Sequence, residues 1–213
     1  MPHGVQPPAQ LFSVPSTACP VGSAGDDHTV PFAASCLAGN NLGGTRTFKT
    51  AGAAKGVEIT IVPASHDSSV NRALLNEAER RSLEPDNLTL PLGPPSGYVI
   101  RFTNGFVVYL SGDTALHADM KTVVADFHRP NAMVLNLGLS AITTASGVQI
   151  AELVRPTTVI ISHPNEAASV GGKARPGSRT AELSGMLRSP VVLALSGRTM
   201  EFDGQGRCVA GCS

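Results

Sequence analysis

The chain has 213 residues, with 16 Lys and Arg balanced by 16 Asp and Glu, only 4% aromatic residues, and no run of basic side chains. A neutral, aromatic-poor chain offers no electrostatic footprint for nucleic acid, which leaves small-molecule chemistry or protein contact. No window reaches the ~18 apolar residues of a membrane span, and Met1 to Pro20 lacks the basic start and apolar core of a secretory signal. The expectation is a soluble, cytoplasmic protein with a single core and no membrane partner.

Residues 1–44 read as an irregular N-terminal segment, punctuated by Pro2, Pro7, Pro8, Pro15, Pro20 and Pro31 and closed by the turn-rich Gly39-Asn40-Asn41-Leu42-Gly43-Gly44. A domain is expected over 45–213, opening with an edge strand at Thr45 to Phe48. From Val57 the elements alternate. Val57 to Val62 alternates apolar and polar residues and is stopped by Pro63, which predicts a strand. The spacing of Val70, Ala73, Leu74 and Ala78 predicts a helix over 69–82, and the prolines at 85, 91, 94 and 95 a loop. Strands at 98–102 and 106–110 flank Asn104-Gly105, the strongest short hairpin signal, and should pair antiparallel.

After Leu110 comes Ser111-Gly112-Asp113-Thr114 and then apolar residues at helical spacing, which predict a helix over 114–128. Glycine at 112 implies a close approach, and Thr114 is suited to capping that helix, leaving the Asp113 carboxylate free. The competing reading is that Asp113 itself is the cap. His117 and His128, on this helix, are expected to be solvated. Ala132 to Leu137 is apolar at every position but Asn136 and reads as a buried strand. A helix at 145–154, a strand at 157–161 ending in Ser162-His163-Pro164, a glycine-rich loop at 171–177, a helix near 179–188 and a strand at 191–195 complete the alternation. A last strand pair is expected from 199–202 and 208–209, turned at Asp203-Gly204.

Cysteines stand at 19, 36, 208 and 212, with only the last two close together, so a zinc ribbon is not supported and disulfide pairing stays open. No Gly-x-Ser-x-Gly elbow and no phosphate-binding loop is present, which argues against a serine hydrolase or a nucleotide-binding P-loop. Three strand ends do carry metal-ligand chemistry: His66, Asp113 and His163. If those ends share one rim, two imidazoles and a carboxylate converge there, a set suited to zinc, iron or manganese. Each histidine taken alone also fits an ordinary hydrogen-bonded surface residue.

Val62-Pro63-Ala64-Ser65-His66-Asp67-Ser68-Ser69, Gly97-Tyr98-Val99-Ile100, Leu110-Ser111-Gly112-Asp113-Thr114 and Ile161-Ser162-His163-Pro164 resemble the later motifs of metallo-β-lactamase-fold metal-dependent hydrolases, in the UlaG-like branch. The resemblance implies an α/β fold, an αββα sandwich. It also implies hydrolysis of an ester, lactone, phosphoester or similar bond of a small-molecule substrate through water activated by one or two ions. By this resemblance His66 and His163 are metal ligands, Asp113 is the carboxylate that bridges two metals, and Asp113 and His66 serve catalysis.

The His-x-His-x-Asp-His signature of that family does not occur in this chain. Gly25-Asp26-Asp27-His28 either preserves its Asp-His pair, making Asp27 and His28 further ligands, or corresponds to the stretch just after the signature. The expectation is a sandwich incomplete in its N-terminal half, holding one metal or none. Its uncovered sheet would favour a homo-oligomer. The alternative function is a catalytically inactive relative that serves as a binding or interaction domain.

Overall fold

A computed structural model describes residues 10–15, 35–49, 52–138, 142–164 and 168–212. Its centre is a seven-stranded mixed sheet. The strands are β3 (Thr45–Phe48), β4 (Val57–Pro63), β5 (Ser96–Arg101), β6 (Val107–Leu110), β7 (Ala132–Asn136), β8 (Thr158–Ser162) and β11 (Val191–Leu193). They lie in chain order across the sheet, with β3 at one edge and β11 at the other. From β3 to β6 every pair is antiparallel, while β6, β7, β8 and β11 run parallel. The chain changes mode where the connections change. Asn104-Gly105 turns β5 directly into β6, with Gly105 at φ 93°, whereas each parallel step needs a crossover helix.

Those helices are a segment at Met120–His128, α2 (Thr144–Val154) and α3 (Arg179–Met186). They cover one sheet face with a core built from Val99, Tyr109, Met133, Leu135, Val159 and Ile161 of the strands against Met120, Val124, Ile150 and Leu183 of the helices. Alternation puts Tyr98, Ile100, Leu110 and Val134 on the opposite face, where they are only half-buried.

Several expectations hold in detail. The 98–102 and 106–110 strands do pair antiparallel, β3 is an edge strand, and the terminal pair forms as β12 (Glu201–Phe202) and β13 (Cys208–Ala210). Others need correction. Residues 1–44 are not wholly irregular, because β1 (Gln10–Pro15) and β2 (Ser35–Asn40) pair antiparallel.

The helix expected over 69–82 is a single 3-10 turn at Arg72–Leu74 followed by α1 (Glu77–Leu83). Side chains of Asn71 and Asn76 each accept a backbone N–H and restart the chain, an end signal that outweighs the apolar spacing. The helix expected from Thr114 begins only at Met120 and is wound wide, with Arg129 N–H bonding back to Val124 C=O at 2.9 Å, the π spacing. The glycine-rich loop contains a two-residue hairpin of β9 (Ser169–Val170) and β10 (Lys173–Ala174). Of the cysteines, whose pairing is open from sequence, Cys208 and Cys212 are bonded, their Cα atoms 6.1 Å apart.

Candidate metal centre

The topology gathers the expected strand ends. β4 and β6 each pair antiparallel with β5 and so point the same way, and β7 and β8 run parallel to β6. His66 after β4, Asp113 after β6, Asn136 at the end of β7 and His163 after β8 therefore stand along one rim. Neighbouring strands are about 4.8 Å apart, so Asp113 and His163 start roughly 10 Å from each other across β7.

Their side chains close that gap: His163 Nδ1 lies 3.0 Å from Asp113 Oδ1. Asn136 sits between them and is only 2% exposed. Its amide nitrogen donates to Asp113 Oδ1 and its oxygen accepts from the Gly138 N–H. The carboxylate is thereby oriented from beneath while remaining 44% exposed above, with the His163 side chain 49% exposed. Asp113 Oδ2 takes no hydrogen bond among the described residues.

The backbone around the pair is shaped for this contact. Gly112 has φ 62°, and a Cβ there would lie 2.5 Å from the Ser96 carbonyl oxygen at the start of β5. The close approach expected at residue 112 is thus the neighbouring strand. His163 itself has φ 47°, a left-handed conformation costing an L-residue roughly 1–2 kcal/mol. Gly138 makes room for it: a Cβ at 138 would lie 2.8 Å from His163 Cγ and 2.9 Å from Nδ1.

Neither capping role expected at this junction is seen. Thr114 is fully buried; its hydroxyl accepts from the Ser65 N–H at 2.9 Å and donates to the Ala115 carbonyl at 3.0 Å. Ser65 C=O in turn accepts from the Ala115 N–H at 2.8 Å. Two bonds therefore fasten the loop carrying His66 to the segment following Asp113. The His66 ring, however, is exposed and turned to the carbonyl of Asp67. Asp67 is occupied by Ser69, whose hydroxyl and amide hold its carboxyl below the usual carboxylate range.

The rim thus assembles Asp113 and His163 and fastens the loop carrying His66 beside them, with the His66 ring turned to Asp67. Among the described residues no group of three His, Cys, Asp or Glu gathers closely enough to share an ion. Asp27 and His28 lie outside the described residues. His117 is not solvated as expected: its side chain is 15% exposed, Nε2 is buried with no partner among the described residues, and burial pushes its pKa down, with Asp119 opposing. Asn136 is the functional candidate that sequence reasoning misses, although a lone polar residue in a buried apolar strand is a usable signal.

Relatives in sequence are described as metal-dependent hydrolases. Two proteins named UPF0173 metal-dependent hydrolase, from Roseiflexus sp. and Roseiflexus castenholzii, are 36% and 38% identical to this chain over 96 residues, 43% of it. A relative of the same description from Cupriavidus necator is 27% identical over 69% of the chain. The chain spans well under half the length of the Roseiflexus relatives, 38% of each, and 48% of the Cupriavidus one. Among solved structures, a metallo hydrolase from the archaeon Ignicoccus hospitalis is 22% identical, with a TM-score of 0.49 over 81% of this chain and 59% of that one. No family model matches the chain.

Proposed function

We propose that the rim at the ends of β4, β6 and β8 is the centre of a metal-dependent hydrolase acting on an ester, lactone, phosphoester or related bond of a small molecule. The observation that carries this reading is the Asp113–His163 pair, two groups fifty residues apart in sequence held at 3.0 Å. Their oxygen and nitrogen donors suit zinc, manganese or iron. Both side chains are about half exposed, Oδ2 of Asp113 is unengaged among the described residues, and Asn136 orients the carboxylate from the buried side. That is the support a ligating carboxylate needs.

A catalytic zinc takes three protein ligands and keeps one position open; this reading assigns the third place to His66, on the loop fastened to Thr114 and Ala115. Bound there, a divalent cation would supply Lewis acidity and a nucleophilic water near neutral pH. The chain's own contribution is placement: Asn136 fixes Asp113, and Gly138 leaves room for His163.

The test is turnover of p-nitrophenyl esters, γ-lactones and bis-p-nitrophenyl phosphate by the full chain loaded with zinc or manganese. Metal-dependent hydrolysis of at least one class, reduced ~100-fold or more in Asp113→Ala, is expected. Rates equal to buffer on every substrate would contradict it.

A second reading has an observation of its own. No three donors gather among the described residues, and Asp113 Oδ1 is already engaged by Asn136 and His163. On that reading the domain keeps the scaffold and binds a ligand or partner without turnover. Self-association belongs to either reading, since Tyr98, Ile100, Leu110 and Val134, on the face opposite the crossover helices, are only half-buried.

A further inference from the structure

The chain closes on the β12–β13 hairpin, which is anchored at its turn. Asn131 Nδ2 donates to the Gly204 carbonyl at 3.0 Å and to the Gly105 carbonyl at 3.1 Å, joining that turn to the turn between β5 and β6. Asp203 Oδ1 accepts the amides of Gln205 and Arg207, each at 2.9 Å. Phe202 stacks on Phe106 with ring centroids 5.3 Å apart. These anchors lie at the end of β5 and β6 that is away from the metal rim.

Beyond Arg207 the hairpin thins. The β12–β13 ladder is two residue pairs with a bulge between them, and a lone pair of strands is marginal in water even when longer. The Cys208–Cys212 bond then turns the last residues back. Gly211, at φ 70°, lies so close to the Thr199 carbonyl that a Cβ would collide with it. The bridge spans four positions, a loop too short to take much entropy from the unfolded chain, so the fold as a whole gains little from it. It is also open to solvent, since residues 209–212 are exposed and Cys208 is half-buried. Exposed bridges are the ones that exchange with free thiols.

We infer that Cys208–Cys212 is a site of reversible exchange with a small thiol of the glutathione class, and that the bond is a latch on the terminal hairpin. The thiolate attacks Sγ of Cys212, the more exposed sulfur; the Sγ–Sγ bond breaks and Cys208 leaves as a thiolate that takes up a proton. A second thiol attacks the mixed disulfide and releases Cys212 in the same way. Two small thiols are thereby oxidised to their own disulfide, and both cysteines are reduced. With the bond open, residues 208–212 have only the two-pair ladder to hold them and leave Thr199, while the turn at 203–207 stays docked on Asn131.

The experiment equilibrates the full chain at neutral pH, in EDTA, with about 10 mM reduced and about 0.1 mM oxidised glutathione, then blocks free thiols with iodoacetamide. Trypsin cuts after Arg207 and releases 208–213 as one peptide, which reads this pair apart from Cys19 and Cys36. Most of that peptide should carry two alkyl groups. Hydrogen exchange of the reduced chain should be about tenfold faster over 208–212 than in the oxidised chain, with 103–107 unchanged. The double variant Cys208→Ser, Cys212→Ser should exchange at the reduced rate with or without glutathione. A peptide that stays disulfide-bonded in this buffer overturns the inference, and so does a reduced chain that exchanges over 208–212 at the oxidised rate. No metal or turnover is involved, so the result is independent of the hydrolase reading.

Discussion

Gly138→Ala is the sharpest probe of how the rim is held. Residue 138 does not need a positive φ, so alanine fits its backbone and any effect comes from space alone. The added Cβ would lie 2.8 Å from His163 Cγ where ordinary contact begins at 3.4 Å, and closer still to the His163 carbonyl oxygen. Neither neighbour is the free end of a flexible chain: one is backbone at the end of β8, the other a ring root. The histidine must therefore move by more than half an ångström. Overpacking of this kind costs about 1–3 kcal/mol, and at roughly 2–4 °C per kcal/mol for a chain of this size the melting temperature should fall by about 2–12 °C. A displaced ligand of this sort should also weaken metal affinity by about 10- to 100-fold. Thermal unfolding followed by circular dichroism, with zinc titration of the folded variant, reads both. A Gly138→Ala protein with wild-type melting temperature and wild-type zinc affinity would refute the claim that glycine is there to seat His163.

Asn136→Ala removes the donor to Asp113 and the acceptor of the Gly138 N–H; we expect a loss of about 1–3 kcal/mol in urea unfolding and weaker metal binding in the protein that remains folded. Tyr109 is fully buried with its hydroxyl unpartnered among the described residues, and burial pushes its phenol far above the ordinary tyrosine range. Tyr109→Phe should therefore stabilise the chain, by about 1 kcal/mol in urea unfolding, and a loss of stability would show that the hydroxyl has a partner. Burial lowers the pKa of His117 in the folded chain, so the unfolded chain takes up its proton first as the pH falls. Stability should be complete above about pH 6.5 and decline below it. His117→Phe should flatten that decline, and an unchanged pH profile would remove His117 as its source.

Much of the scaffold is legible in the sequence because local signals and tertiary needs agree. Asn104-Gly105 between two apolar runs turns a hairpin, and the apolar runs at 132–137 and 157–161 are parallel strands because helices cover them. The failures come where side chains bond to backbone in ways that periodicity does not record. Asn71 and Asn76 restart the chain and split one expected helix into two short elements. Thr114, a helix cap by its sequence position, bonds instead to Ser65 across the rim. The site is legible in part for the same reason. Asp113 and His163 can be placed at strand ends from the sequence, but their contact depends on an Asn136 that holds Asp113 and on a left-handed His163, both set by long-range packing. The orientation of the His66 ring toward Asp67 cannot be read from spacing at all.

The most direct test of the central claim is elemental analysis of the purified full chain after dialysis against zinc at neutral pH, beside Asp113→Ala and His163→Ala. The account predicts about one ion per wild-type chain and a marked loss in both variants, each still folded by circular dichroism. A wild-type chain that retains no ion, or variants that retain as much as wild type, would contradict it.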